Sequence, residues 1–291
     1  ANVLSGLAGT DTLSGEAGAD TLNGGDGNDI LNGGADNDVL DGGNNDDTLN
    51  GGDGDDQLFG RTQNDTLNGD AGADTIFGGD GDDVINGGAD NDLLDGINGN
   101  DNISGGDGAD EMYGRQNNDT LNGDAGADTL YGGDGDDVLN GGADDDLLDG
   151  SNGVDVLNGG DGADTLYGRN GNDTLDGGLG ADTLFGGNDA DTFVFSTALG
   201  ESNIDTIGAF SVVDDTIQLS LSIFSAFGAT LDAGEFRIGA AAADADDFII
   251  YDAATGALYY DADGNGGGAA VQFATLGVGL ALTAADFVGG P

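Results

Sequence analysis

The chain has 291 residues and contains no cysteine, no histidine, no lysine and no tryptophan, with a single proline. Without cysteine no disulfide stabilises it, which says nothing of its compartment, since an extracellular protein could have used them. Without histidine or cysteine, the usual serine triads, thiol nucleophiles and H-E-x-x-H zinc sites are excluded. No G-x-S-x-G elbow occurs either. Four arginines stand against 57 acids, a formal net charge of −53. So few bases cannot neutralise phosphates, which excludes nucleic acid as a partner and disfavours an anionic membrane surface. No run approaches 18 apolar residues, so no membrane-spanning helix is expected. The opening "ANVLSGLAG" lacks the basic and apolar regions of a signal peptide, and without an initiator methionine the chain is expected to be processed or excised.

Glycine and aspartate fill the space. There are 61 glycines, and apart from Glu16, Glu111, Glu201 and Glu235 every acid is aspartate. A general acidic bias for solubility would use both acids. Preference for the shorter one points to carboxylates held close to a tight backbone.

One phrase accounts for both residues. G-G-x-G-x-D-x-U-x, with U a large apolar residue, recurs 21 times from Gly6 without an insertion, and U runs from Leu13 to Phe193. Position 4 is glycine in fourteen copies; the others carry Asp36, Asn45, Gln63, Asp90, Asn117, Asp144 and Asp189. Asp and Asn best tolerate positive φ among non-glycine residues, so the first six residues read as a turn with a left-handed kink. The last three read as a short strand with one residue facing inward. One inward residue per strand cannot make a core alone, so the strands must stack as a solenoid.

Each nonapeptide reverses the chain once, so two make a coil of 18 residues. One edge then carries Asp11, Asp29, Asp47, Asp65, Asp83, Asp101, Asp119, Asp137, Asp155, Asp173 and Asp191. The other carries Asp20, Asp38, Asp56, Asp74, Asp92, Asp110, Asp128, Asp146, Asp164 and Asp182. Neighbours within a column lie about 4.8 Å apart, the spacing of paired strands. Like charges at that distance repel by roughly 3 kcal/mol per pair at an effective dielectric near 20. Left alone, such columns prevent folding. A hard divalent cation between successive carboxylates removes the repulsion. Ca²⁺ accepts six to eight oxygens in flexible geometry, whereas Mg²⁺ is more demanding and Zn or Cu would call for His or Cys.

The phrase resembles the RTX nonapeptide, a calcium-binding parallel β-helix repeat. The resemblance implies an all-β fold: a parallel β-roll, that is a two-sheet β-solenoid, over residues 1–194, capped by a β-rich domain over 195–291. It implies calcium held between two turns on one edge. One turn gives the carbonyls of positions 2 and 4 and its Asp; the next gives the carbonyls of positions 1 and 3 and its Asp. One such site comprises Gly25, Gly27, Asp29, Gly42, Asn44 and Asp47, another Gly79, Gly81, Asp83, Gly96, Asn98 and Asp101. Columns of 11 and 10 turns allow ten and nine inter-turn sites, up to 19 ions, offsetting 38 of the 53 negative charges. Side chains at position 2 (Leu7, Glu16, Arg61, Asp70, Ile97, Arg115, Asp124, Ser151 and Arg169) still leave a carbonyl there.

A longer period overlies the nine. Arg61, Arg115 and Arg169 fall 54 residues apart, which duplication of six units explains without function. At position 9, Phe59, Phe77, Tyr113, Tyr131, Tyr167 and Phe185 differ by multiples of 18 and belong to one sheet, interrupted by Asp95 and Asp149. They are expected to point outward, either as aromatic stacking that stabilises the sheet or as a docking strip for an upstream domain or ligand.

After Thr192 glycine thins out and strand-like runs follow: "DTIQLSL", "EFRIG", "DFIIYD", "GALYYD" and "AVQFATL". "FIIYDAATGALYY" reads as two strands joined by a short loop ending in Gly256. The region resembles the C-terminal domain of serralysin-type metalloproteases, also found behind RTX repeats in mannuronan epimerases. The resemblance implies a signal for the type I secretion machinery and an extracellular location. "DADGNG" matches the first half of an EF-hand loop, but Gln272 stands where the final Glu belongs. Asp261, Asp263 and Asn265 are therefore candidates either for a calcium site or for a polar turn.

The sequence thus points to a monomeric, non-catalytic calcium module of a secreted protein, folding after export and attached to something larger. The partial unit Asn2-Val3-Leu4, with Asn in place of Asp, suggests a solenoid that continued upstream or was cut there. A stand-alone surface protein using its sheet face for a ligand or ice is the rival. The residues after each Asp speak against ice, because Ile30, Val84, Asn102, Val138 and Val156 interrupt the threonines of one face.

Overall fold

A computed structural model describes residues 1–291, which fall into two units, Ala1–Asn152 and Gly153–Pro291. In the first unit the nonapeptides form six-residue strands nine residues apart: β1 (Val3–Ala8), β2 (Thr12–Ala17), β3 (Thr21–Asp26) and so on to β17 (Leu147–Asn152). Odd strands pair in parallel with odd, even with even, always 18 residues out, as in Leu4↔Leu22 and Leu13↔Leu31. That is a parallel β-roll of two sheets.

The strands are longer than the sequence suggests. Each covers positions 7 to 9 and runs on through positions 1 to 3 of the next phrase, leaving only positions 4 to 6 as the turn. Two residues per strand face inward, not one. The apolar residue at position 8 is fully buried, as at Leu22, Leu31 and Met112. The glycine at position 1 is the other, and its missing side chain leaves room inside. Both kinks are left-handed as well. All seven non-glycine residues of position 4 have positive φ, and so do all nine of position 2, from Leu7 (φ 76°) to Arg169 (φ 80°).

The second unit continues the pattern with β18 (Val156–Asp161), β19 (Thr165–Asn170), β20 (Thr174–Leu179), β21 (Thr183–Asn188) and β22 (Thr192–Phe195). Then the phrase loosens without ending the sheets. β23 (Asp205–Gly208) pairs in parallel with β21, and β24 (Thr216–Ser220) with β22. β29 (Phe287–Gly290) adds to β24. In the other sheet β23 pairs in parallel with β28 (Val271–Thr275), which runs antiparallel to β27 (Ala257–Tyr260), itself antiparallel to β26 (Ile249–Asp252), with β25 (Phe236–Ile238) parallel to β26 at the edge. The β26–β27 hairpin is the expected one, and Gly256 supplies a positive φ of 85°. Aromatic residues fill this region's core: Phe224 lies edge-on to Phe273 and Tyr260, each at 5.1 Å.

Candidate metal centre

The repeat aspartates occupy the turns, and they are turned inward. From Asp20 to Asp191 their exposure is 0–4%, so they are as buried as the leucines. Within each column one oxygen is satisfied by the chain. Asp29 N–H donates to Asp47 Oδ1 at 2.7 Å, Asp83 N–H to Asp101 Oδ1 at 2.9 Å, and Asp173 N–H to Asp191 Oδ1 at 3.1 Å. Asn2 takes the same place in the first turn, its N–H donating to Asp20 Oδ1.

The other oxygen is orphaned. Oδ2 is buried and accepts no hydrogen bond at each column member from Asp11 to Asp128, and again at Asp173, Asp182 and Asp191. A buried carboxylate oxygen without a donor is costly, and a native fold rarely tolerates one. The position-1 glycine marks what lies around it. A Cβ on Gly15 would sit 2.6 Å from Asp20 Oδ2 and 2.6 Å from the carbonyl oxygen of Gly33, one coil on. On Gly6 it would meet Asp11 Oδ2 at 2.6 Å and Gly24 O at 2.7 Å. Carboxylate oxygen and next-coil carbonyl thus converge on one spot, and only glycine leaves it open.

Of the residues singled out from sequence, Asp29 lies with Gly42 O, and Asp83 with Gly96 O, in this convergence. Gly25 O points along the column at Gly43. Asn44 O and Asn98 O, however, accept the N–H groups of Gly27 and Gly81 at 3.1 and 2.8 Å. Oxygen is the only donor type in these surroundings, which suits a hard cation. Both the orphaned oxygen and the open cradle fit calcium.

Electrostatics agree. Burial, then the charges of column neighbours, push Asp65 and Asp119 up to about 8 and Asp74, Asp83, Asp92 and Asp191 up to about 7; backbone N–H donors offset this in part. Asp205 is driven up to about 8 by burial and then by Asp182. It lies outside the nine-residue register and was not among the sequence candidates. Its "DTI", like the "DTL" of the repeats, was the available signal.

Two other sequence features resolve into structure. Phe59 stacks on Phe77 (5.5 Å, 7°), Tyr113 on Tyr131 (5.0 Å, 11°) and, in the second unit, Tyr167 on Phe185 (5.0 Å, 6°). Each pair is half-exposed and carries an arginine over its first ring: Arg61 at 4.9 Å, Arg115 and Arg169 at 4.3 Å. Arg61 grips Asp41 through two bonds of 3.1 and 2.7 Å, and Arg115 grips Asp95 likewise. From Arg61 to Arg115 the 54-residue period is therefore one of Asp–Arg–aromatic stacks, and Arg169 repeats the Arg–aromatic part. On the opposite sheet an asparagine ladder runs through position 9, Asn50 to Asn32 at 3.0 Å and Asn68 to Asn50 at 2.9 Å, which the sequence reading did not single out.

The EF-hand-like segment is arranged as a turn. Asp263 N–H donates to Asp261 Oδ1 at 3.3 Å, Gly268 N–H to Asp263 Oδ2 at 3.1 Å, and the Asn265 amide donates to Ala243 O at 3.2 Å.

A parallel β-roll whose turns hold files of inward carboxylates, with Oδ2 unpaired from Asp11 to Asp128 and at Asp173, Asp182 and Asp191, defines a class of metal-binding solenoids. The family described as RTX calcium-binding nonapeptide repeat (4 copies) matches in eight stretches that together span residues 1–193, and the chain belongs to that family. It is also similar to the solution structure of the AlgE6R3 subunit from the Azotobacter vinelandii mannuronan C5-epimerase, at 29% identity, covering 50% of this chain and 78% of that one with a TM-score of 0.35. No curated protein matches it.

Proposed function

We propose that this chain is a non-catalytic, calcium-gated folding module of a secreted protein. The observation that carries the reading is the file of buried Oδ2 atoms from Asp11 to Asp128 that nothing in the chain satisfies. Asp29, Asp47 and the carbonyls of Gly25, Gly27, Gly42 and Asn44 would hold one ion; Asp83, Asp101, Gly79, Gly81, Gly96 and Asn98 another. Repeated along both edges, the arrangement provides up to 19 sites. Bound calcium supplies the positive charge that lets neighbouring carboxylates stay ionised in a dry interior. The chain supplies the rest: glycine turns that expose carbonyls, and strands that hold successive carboxylates one coil apart.

Where calcium is scarce, the columns repel and the chain stays extended, fit for passage through the type I secretion machinery. Outside the cell, millimolar calcium reaches the 10⁻⁴ to 10⁻³ M dissociation constants usual for extracellular modules, and binding drives folding by mass action. The 195–291 region serves as cap and secretion signal. The half-exposed aromatic pairs supply a docking strip for an attached upstream domain. Beside Phe59 and Phe77 a cavity of about 400 Å³ opens over Gly79, between Arg61 and Ile97.

Far-UV circular dichroism during a calcium titration tests the reading, with magnesium as control. A cooperative coil-to-β transition near millimolar calcium, absent with magnesium, is expected. A chain already folded in EDTA at neutral pH would sink it.

A further inference from the structure

The nine-residue register stops at Asp191, yet one column does not. Asp205 comes 14 residues later, and "GESNIDTI" from Gly200 keeps Gly, Asn, Asp and an apolar residue at positions 1, 4, 6 and 8. Asp182 N–H donates to Asp205 Oδ1 at 3.2 Å, just as Asp164 N–H donates to Asp182 Oδ1 at 2.9 Å. Thr206 N–H reaches Asp182 O at 2.7 Å, matching the 2.8 Å from Thr183 to Asp164 O. Ile207 stands in register with Leu184 and is 2% exposed. Asn203 replaces a backbone group: its Oδ1 accepts Gly180 N–H at 2.6 Å, a role that position-3 carbonyls play within the repeats.

Between the two carboxyls the chain provides no base. Asp182 is 1% exposed and Asp205 3%. Asp182 Oδ2 is buried and accepts no hydrogen bond. Asp176 adds a third negative charge close by, with its own oxygens occupied by Gly178 N–H and the Ser196 hydroxyl. At the end of the other column Asp191 Oδ2 is orphaned too, while Asp215 Oδ1 accepts Asp191 N–H at 3.2 Å and Asp215 Oδ2 accepts Ser211 N–H at 2.7 Å.

We propose that Asp182 and Asp205 form a calcium site beyond the last nonapeptide, fastening β23, and through it the C-terminal strands, to the coils of the roll. The inference rests on the calcium reading above and deepens it. It assigns to the C-terminal region a metal ligand of its own, outside the repeat phrase. A carboxylate at 205 is then required, because Asn keeps the acceptor for Asp182 N–H but removes the charge a cation needs.

Native mass spectrometry of the full chain in calcium counts ions singly. Asp205→Asn is expected to carry one ion fewer than the natural chain while keeping its calcium-induced dichroism. An unchanged count overturns the proposal and leaves the calcium module standing. Should Asp205→Asn fail to fold, Asp182→Asn decides: loss of two ions supports a column that continues to Asp205, and loss of one overturns it. A natural chain that carries no calcium would overturn both readings together.

Discussion

Asp20 N–H and Asp38 Oδ1 are joined by a buried 2.7 Å hydrogen bond across one coil, and that bond leaves Asp38 with one oxygen that the chain does not satisfy. On the calcium reading, repetition of this half-satisfied pair makes the roll conditional, because the backbone positions each carboxylate for a cation but cannot replace one.

Without calcium, acidity should take the cation's place. Asp47, Asp65, Asp74 and Asp119 have native pKa values raised from 3.8 to between about 6 and about 8, by burial first and, among the raising causes, neighbouring charge second. Between 3.8 and those values the native state binds more protons than the unfolded one, so stability falls as pH rises. In EDTA, lowering the pH from 8 towards 5 should therefore increase the β signal in circular dichroism. In saturating calcium the dependence should reverse, because protons then compete with the ion. A calcium-free chain that gains structure with rising pH would contradict this.

Gly15→Ala should damage a site by steric means alone. Its Cβ would lie 2.6 Å from both Asp20 Oδ2 and Gly33 O, with no demand for positive φ. Gly228→Ala, where nothing lies within 4 Å, is the matched control. Isothermal titration should show weaker calcium binding for the first and none of that loss for the second.

Ile97 is a β-branched residue held at φ 79°, a conformation costing an L-residue about 1–2 kcal/mol. Ile97→Gly should raise stability by about 1 kcal/mol in calcium, the relief of strain outweighing the lost backbone entropy and contacts. A lowered denaturation midpoint would show that its side-chain contacts matter more.

Leu121 is fully buried, and Leu121→Ala should cost about 2–5 kcal/mol in a calcium-loaded denaturation. Tyr113→Ser with Tyr131→Ser removes a half-exposed stacked pair instead. That double variant should leave calcium affinity unchanged and weaken only contact with an attached domain, measured by pull-down of the separated parts.

Much of this was legible because the period is strict. Coil length, sheet parity, the leucine core and the two aspartate columns follow from 18-residue arithmetic alone. What the sequence hid was depth. An Asp at a turn reads as exposed, and only the inward glycine at position 1 shows that the carboxylate folds beneath the coil. Position 2 escaped because Arg61, Glu16 and Ile97 are not residues one expects at positive φ; the stacked coils impose it on them. Asp41 and Arg61 stand 20 residues apart, neighbours only once the coil closes. Asp205 was missed because five extra residues broke the count, though its hydrogen bond to the preceding coil survived.

The alternation of odd and even strands also limits how such a gene can lengthen. Insert one nonapeptide and every downstream residue moves to the opposite sheet, so the aromatic stacks would land on the asparagine ladder. Insert two and all faces are kept. The 54-residue interval from Arg61 to Arg115 is three full coils, which is why a duplicated segment could carry its Asp–Arg–aromatic stack intact to the same side. Growth by whole coils is heritable without repair; growth by half coils is not.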